Sequence, residues 1–453
     1  MFRFSKYREQ YRANLRLALP VVLSQLGNVV VQIADNAMVG RYGGDDPTPL
    51  AATAFGGSVF FIVMISVMGL TFGLTPLVGA LFAQGRKSVV SKYLQNGLVL
   101  YNAVAVVAVL FLLAIIPLFQ FMGQPQEVVA MSIPYYKALV WSMIPVIIFF
   151  SFKQFFEGVG NTRLAMIAVV VSNVINIVLN YMLIGGNMGA PEMGALGAGV
   201  ATAISRVVSA VVLVYYFLRS RDYAIYRRGF SLRNFSMAAT RRLVKMGVPI
   251  SMQMALEVAS FVIIGLMFGW FSATEIGANQ IGIAMSNCSF MIIVAVASAT
   301  TIRISHCYGL RDYAQLKLAG YAAWHLALAW NLITAAIFFV FRSQLPLIFT
   351  SNVETAELAS VLLLAIAAFQ IPDGIQSIAV GVLRGMQDVK IIPYIAFVSY
   401  WVFNMPIAYL CAFVFGMGAP GLYVGYFVGF AIASVLLIWR IRHRQRILEQ
   451  GGR

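Results

Sequence analysis

The chain has 453 residues, of which 60% are hydrophobic and only 11% charged, and its mean hydropathy is +0.84. A soluble domain carries about 25% charged residues, so this chain lacks the polar surface to cover itself in water, and a soluble enzyme is excluded. Its net charge of +16 is scattered through short loops rather than gathered on one face, which assigns it to membrane topology rather than to nucleic-acid binding.

A helix that crosses a bilayer needs about 20 mostly apolar residues. Twelve such runs are legible, at about 17–39, 52–82, 94–118, 131–152, 164–186, 195–218, 247–270, 276–304, 319–342, 356–382, 392–416 and 420–439. The expected fold class is therefore an all-α polytopic membrane protein with twelve transmembrane helices. The basic start (Arg3, Lys6, Arg8, Arg12, Arg16) runs into an apolar stretch longer than a signal peptide's, without a small-residue cleavage site, so the first span is expected to be retained.

The basic residues test the count. Alternate loops and the two ends collect 28 of the 32 Lys and Arg residues, and only Arg41, Lys137 and Arg342 fall outside, with Arg206 inside a span. One missed crossing would switch every later loop to the other side, so both termini are expected to be cytoplasmic. The longest polar segment, 219–245, divides six spans from six. It separates an N-lobe (1–218) from a C-lobe (246–453, with a basic tail).

The two halves share ordered matches. An offset of 227 aligns Ile144-Pro145 with Ile371-Pro372, Gly158 with Gly385 and Arg163 with Lys390, and an offset of 229 aligns Pro20 with Pro249, Met38 with Met267 and Gly40 with Gly269. Gly-Ala-Leu-Gly at 194–197 matches Gly-Ala-Pro-Gly at 418–421. Matches in order at nearly constant offset indicate duplication. Because each half has an even number of spans, the copies share one orientation and form a parallel pseudo-two-fold repeat, a design that places substrate between the halves near mid-membrane.

Three carboxylates fall well inside the expected spans: Asp35, Glu257 and Asp373. Each costs at least about 2.5 kcal/mol to insert, and an intramembrane acid without a lysine partner is a candidate cation or proton site. Helical rise puts Glu257 and Asp373 at one level near the bilayer centre and Asp35 toward the outer side. The fifth span carries Ser172, Asn173, Asn176 and Asn180, with Asn176 and Asn180 one turn apart on one face. With Asp35 and Thr202 they offer the oxygen ligands that suit a hard cation, or equally interhelical hydrogen bonds. Asn279 and Gln280 in the eighth span admit the same two readings. Pro20, Pro249 and Pro372 free backbone carbonyls within spans and are hinge candidates.

The remaining chemistry is sparse. Cys288, Cys307 and Cys411 are far apart and read as buried free thiols, and His306, His325 and His443 sit at no metal or triad spacing. No nucleotide-binding or zinc motif occurs, so no cofactor beyond a coupling ion, Na+ or H+, is expected.

Several segments together resemble the multidrug and toxic compound extrusion (MATE) family, in its NorM-like branch. They are Leu19-Pro20 with Ala34-Asp35-Asn36-Ala37-Met38-Val39-Gly40, Gln84-Gly85-Arg86, Glu157 to Thr162, Gly194 to Gly199, Val248-Pro249 with Glu257, and Asp373 with Leu383-Arg384-Gly385. The resemblance covers essentially the whole chain. It implies a two-lobed, twelve-helix antiporter of the bacterial inner membrane that exports small organic cations or amphipathic drugs and dyes against Na+ or H+. Its partners would then be such molecules and membrane lipid, with no nucleic acid and no second subunit. By position, Glu257 and Asp373 resemble the C-lobe coupling acids, and Asp35, Asn176, Asn180 and Thr202 the N-lobe polar cluster. Asn180 stands where some relatives have a second acid, and Phe369 lacks the hydroxyl of a tyrosine.

A flippase for lipid-linked oligosaccharide or peptidoglycan precursors shares this plan and is the alternative. It calls for several basic residues facing a cavity, to meet pyrophosphate. An intramembrane enzyme would need clustered acids or a His-Asp pair near one face, and a major-facilitator carrier would need an Asp-Arg-x-Gly-Arg loop that is absent.

Overall fold

The computed structural model describes residues 4–44, 46–231 and 235–450. Among them are twelve helices long and apolar enough to cross a membrane, and no strand. Arg3, Arg233 and Arg453 of the basic count lie outside the described residues, as does the side chain of Lys6.

In chain order the helices are α1 (Phe4–Gly43), α2 (Thr48–Ala83), α3 (Lys87–Ala114), α4 (Gln126–Gly158), α5 (Thr162–Ile184) and α6 (Gly194–Arg219). There follow α7 (Met237–Phe268), α8 (Ala273–Leu310), α9 (Tyr313–Val340), α10 (Val353–Gly385), α11 (Ile392–Val414) and α12 (Ala419–Gln450). Each expected span has one counterpart. The ends differ most at the termini, where α1 starts at Phe4 and α12 runs on through the basic tail. Polar side chains hold both extensions in helical form. Gln10 donates to Gln315 Oε1 at 2.7 Å and Asn14 to the Ala319 carbonyl at 3.3 Å. Arg440 grips Asp388 through two bonds of 2.7 and 3.1 Å, and Lys317 pairs with Glu449 at 2.5 Å.

The residues group into two compact units that do not follow chain order. Leu23–Ser251 forms one, and Met1–Val22 with Met252–Arg453 forms the other. Residues 1–22 and 246–251 thus belong to the unit opposite the lobe to which chain order assigns them. α1 and α7 each pass from one unit to the other two residues after a proline, Pro20 and Pro249. Both helices continue through the proline, as does α10 through Pro372.

The duplication is visible in packing. Thr75 on α2 donates to the Gln154 carbonyl on α4 at 3.0 Å, and Thr301 on α8 donates to the Gly381 carbonyl on α10 at 3.1 Å. One turn on, Gly158 lies against Thr75 and Val78, and Gly385 against Thr301 and Ile304. The next turns match too: positive φ falls at Gly85 and Gly160 in the first half and at Arg311 and Gln387 in the second. In each half the first turn of the last helix carries a glycine pressed to the preceding helix, Gly197 on the Leu183 carbonyl and Gly421 on Ala412.

α11 departs from regular geometry, with π-helical turns at Val398–Asn404 and Leu410–Val414 flanking Pro406, whose missing N–H breaks the α-helical ladder. Three glycines on one stripe of α12, Gly421, Gly425 and Gly429, let α11 approach closely, the small-residue packing of membrane helices. The three cysteines are free thiols, but Cys288 is exposed and Cys307 and Cys411 are half-buried, so burial is not what places them. A thiol is apolar enough to be left uncovered on a lipid-facing helix.

The linker is shorter than its polar composition implies, because α7 already begins at Met237. Between α6 and α7, a turn at Arg221–Tyr223 and a short helix Ala224–Arg228 fold onto the unit. Tyr223 and Tyr226 pack on Phe155 with ring centroids 6.0 and 5.3 Å away, and Ser91 donates to the Tyr226 carbonyl at 2.5 Å.

Two tests follow from this packing. A methyl added at Gly425 would sit 2.5 Å from Ala408 Cβ and 2.6 Å from the Asn404 carbonyl, so Gly425→Ala is expected to destabilise the α11–α12 contact by about 1–3 kcal/mol, seen as a lower melting temperature of the detergent-solubilised protein. Burial pushes the Tyr226 hydroxyl up from 10.0 to about 12. The folded state thus favours the neutral phenol, a contribution intact below pH 10 and lost as pH rises through about 12. Limited proteolysis of the linker is expected to accelerate only in that alkaline range, and Tyr226→Phe to postpone the onset.

Candidate functional site

The site is two polar clusters, one in each unit, set into otherwise apolar helices. In the unit containing Met252–Arg453, Glu257 lies two turns beyond Pro249 on α7, and Asp373 directly follows Pro372 on α10. Asp373 is buried, at 7% exposure, and Glu257 half-buried. The two carboxylates are near enough to repel one another, as their common depth in the sequence anticipates.

Hydrogen bonds to amide N–H groups surround both acids. Gln253, one turn before Glu257, donates from Nε2 to Glu257 Oε2 at 2.6 Å. Gln376, one turn after Asp373, donates from Nε2 to Asp373 Oδ1 at 3.5 Å and also bonds the Glu257 carboxylate, while Ser377 bonds Asp373. The opposite ends of both amides are occupied by donors. Arg384 donates to Gln253 Oε1 at 2.6 Å, and the Tyr400 hydroxyl donates to Gln376 Oε1 at 2.8 Å. With each amide oxygen engaged by a donor, each NH2 is turned toward a carboxylate. Tyr400 lies in the first π-helical stretch of α11, and Asn404 there donates to Ser260 at 3.4 Å.

In the unit Leu23–Ser251, the expected N-lobe set converges. Asn180 Nδ2 donates to Asp35 Oδ1 and, at 3.0 Å, to Asn176 Oδ1. Asn176 Nδ2 in turn reaches Thr202 Oγ1 at 3.4 Å and Ser205 Oγ at 3.5 Å on α6, and Ser172 donates to the Ser205 carbonyl at 2.7 Å. Arg206, one turn after Thr202, lies within electrostatic reach of Asp35, donates to Ser142 at 2.7 Å and covers the Phe60 ring at 5.0 Å. Asn180 Oδ1 is buried without a partner, the one amide oxygen of the set left open to a ligand.

Other singled-out residues stand apart. Asn173 Nδ2 makes no hydrogen bond and lies against Gly27 instead. Gln280 is exposed, while its neighbour Asn279 accepts from Tyr423 at 2.8 Å. Phe369 stacks on Tyr423 with centroids 5.8 Å apart. His325 bonds the Tyr11 hydroxyl at 2.8 Å. Among the described residues, no three His, Cys, Asp or Glu side chains gather as a metal cluster.

Two expectations need correction. Arg206 is not alone within the spans: Arg303 lies inside the expected eighth span and inside α8, and α10 extends past its expected end to include Arg384. Glu157, outside the expected fourth span, is a further acid inside a helix, 1% exposed and 3.7 Å from Lys153. At Glu157 and Arg384 the helices run past the polar residues that mark span ends in a sequence, and each side chain there has a partner close by, Lys153 for Glu157 and Gln253 for Arg384.

The comparisons with known proteins agree with this architecture. The MatE family model matches twice, over residues 20–182 and 249–410, one match per repeat. The chain belongs to this family of membrane transporters. The eukaryotic MATE transporter AtDTX14 is 22% identical, with 98% of this chain and 99% of that chain covered and a TM-score of 0.87. An outward-facing multidrug resistance MATE transporter of the MOP superfamily is 22% identical over 97% of both chains, with a TM-score of 0.89. A mutant of the Vibrio cholerae MATE transporter VcmN is 19% identical over 98% of both chains, with a TM-score of 0.87. These likenesses define the two-lobed, twelve-helix fold of an integral membrane protein.

Arg384 orients Gln253 and, through it, Glu257. Removing the guanidinium in Arg384→Met is expected to leave Gln253 Oε1 without its charged donor, so that the amide and its bond to Glu257 are held less firmly. A hydrogen bond involving a charged group is worth about 1.5–3 kcal/mol, so transport should fall at least about tenfold. Arg384→Lys should recover part of the loss. The measurement is the initial rate of substrate transport at matched expression.

Proposed function

We propose that this transporter is a secondary active exporter, moving small organic cations or amphipathic drugs and dyes outward in exchange for H+ or Na+ by alternating access. The observation that carries this reading is the Glu257–Asp373 pair, two acids held together inside an apolar bundle by Gln253, Gln376, Arg384 and Tyr400. Two buried acids at close range are hard to ionise together without a cation or proton between them. Competition between that ion and a cationic substrate for one negative site supplies the differential affinity that coupling requires.

The amide orientation favours H+ over Na+ at this pair. A hard cation needs oxygen ligands, and both glutamine oxygens are already engaged. The Asp35, Asn176, Asn180 and Thr202 cluster keeps one open amide oxygen and is the better candidate for Na+. Pro20 and Pro249, where α1 and α7 change unit, are the hinge candidates, with Pro372 beside Asp373 as a third. The protein acts as a monomer in a bacterial inner membrane, with both termini cytoplasmic.

The flippase alternative gains Arg303 and Arg384 as basic residues inside spans. Both, however, are engaged by neutral amides, Arg303 by Gln10 and Arg384 by Gln253. They do not form the cluster that a pyrophosphate would require.

Ethidium efflux from everted vesicles, with H+ and Na+ gradients imposed separately, tests the proposal. The wild type should respond to at least one gradient. Glu257→Gln and Asp373→Asn should each abolish gradient-driven efflux at unchanged expression. If both variants keep full efflux, the scheme is wrong; if neither gradient drives the wild type while labelled lipid-linked pyrophosphate is translocated, the flippase takes its place.

A further inference from the structure

Between α5 and α6, on the surface of the unit Leu23–Ser251, lies a groove of about 310 Å³. Leu164 and Ile167 of α5 and Val211, Val212, Tyr215 and Tyr216 of α6 line it. Its walls are almost wholly apolar, and the helices that form it are membrane-spanning, so hydrocarbon is what surrounds it. Exposed apolar residues continue its line along both helices, among them Val174 at 57% and Val207 at 45% exposure.

One end of the groove is basic. Arg163 lies one turn before Ile167, and Arg219 one turn after Tyr215, so helical spacing puts each guanidinium on the stripe of a groove-lining residue. α5 begins where α6 ends, which brings both charges to the same end, with Arg221 just beyond. Arg163 and Arg219 are exposed, and neither has an ion pair or hydrogen bond among the described residues. Asp222 lies three residues from Arg219, and Glu157, six residues before Arg163, is paired with Lys153, leaving the end net basic. Two unpaired guanidiniums above an apolar slot match a phosphate above an acyl chain, since arginine binds phosphate through paired N–H donors.

We propose that this groove is a binding site for an anionic phospholipid, its acyl chain between α5 and α6 and its phosphate held by Arg163 and Arg219. Each guanidinium near an anionic headgroup is worth about fivefold in binding, so the pair should favour phosphatidylglycerol over phosphatidylcholine by roughly 25-fold. Neither arginine belongs to the polar clusters above, so the site is separate from the coupling acids.

The test uses the full-length protein reconstituted in equal parts of phosphatidylcholine and phosphatidylglycerol, with retained lipid counted by native mass spectrometry. The wild type should retain phosphatidylglycerol selectively. Arg163→Ala with Arg219→Ala should lose that selectivity while still retaining lipid, and Val212→Trp, which fills the groove, should lose one retained lipid of either kind. Efflux by the arginine variant in pure phosphatidylcholine should equal that of the wild type, which shows that it is folded. Unchanged selectivity in the arginine variant overturns the proposal, as does a wild type that retains both lipids equally or a Val212→Trp variant that retains as much lipid as the wild type.

Discussion

An ionised carboxylate inside a bundle of apolar helices has no water to solvate it, and the structure answers that constraint with amide N–H groups. Gln253 and Gln376 do this for Glu257 and Asp373, and Asn180 does it for Asp35. An amide presents a donor on one side and an acceptor on the other, so its NH2 meets an ionised carboxylate while its oxygen could instead meet a protonated one. What fixes the choice is a second donor behind it, Arg384 for Gln253 and Tyr400 for Gln376. Asn180 has no such donor on its Oδ1. The C-terminal pair is therefore rigidly committed to one hydrogen-bond polarity, and the N-terminal cluster is not.

This difference sits on a scaffold that is otherwise duplicated. The Thr75 and Thr301 bonds, the close packing of Gly158 and Gly385, and the paired positive-φ turns are backbone features that both halves preserve. The acids are not repeated. At the offsets that align the halves, Glu257 corresponds to Asn28, Asp373 to Val146 and Asp35 to Ile264. Helix contacts that require small residues or a particular turn are constrained in each copy, whereas the polar positions between them have diverged.

Much of this was legible in the sequence because lipid imposes long apolar runs and loops with a charge bias, which yield twelve spans and a duplication without any contact information. Asp35, Asn176, Asn180 and Thr202 also emerge, since a polar residue in an apolar run is conspicuous and a four-residue spacing defines one face. Gln253, Gln376, Arg384 and Tyr400 were missed for a physical reason. A glutamine or tyrosine inside a span is not costly enough to stand out, and Arg384 reads as a loop marker because a basic residue near a span end normally faces the headgroups. Gln253 and Gln376 stood one turn from Glu257 and nearly one turn from Asp373, which was the available signal. The grouping of 1–22 with 252–453 had none, since chain order carries no information about which neighbours a continuous helix touches along its length.

That grouping bears on how α1 and α7 are built. Each is a single helix whose two ends pack in different units, and in each the change comes two residues after a proline at repeat-related positions. Proline removes one backbone donor and leaves the carbonyl four residues earlier without its helical partner, here those of Arg16 and Lys245. A helix is most easily bent where its ladder already lacks a bond. Glu257 lies two turns beyond Pro249, past the change of unit, so the acid belongs to one unit while the start of its helix is held by the other. Asp373 lies in the same unit as Glu257, so a bend at Pro249 falls outside the stretch that packs the two acids together and leaves the geometry of the pair intact.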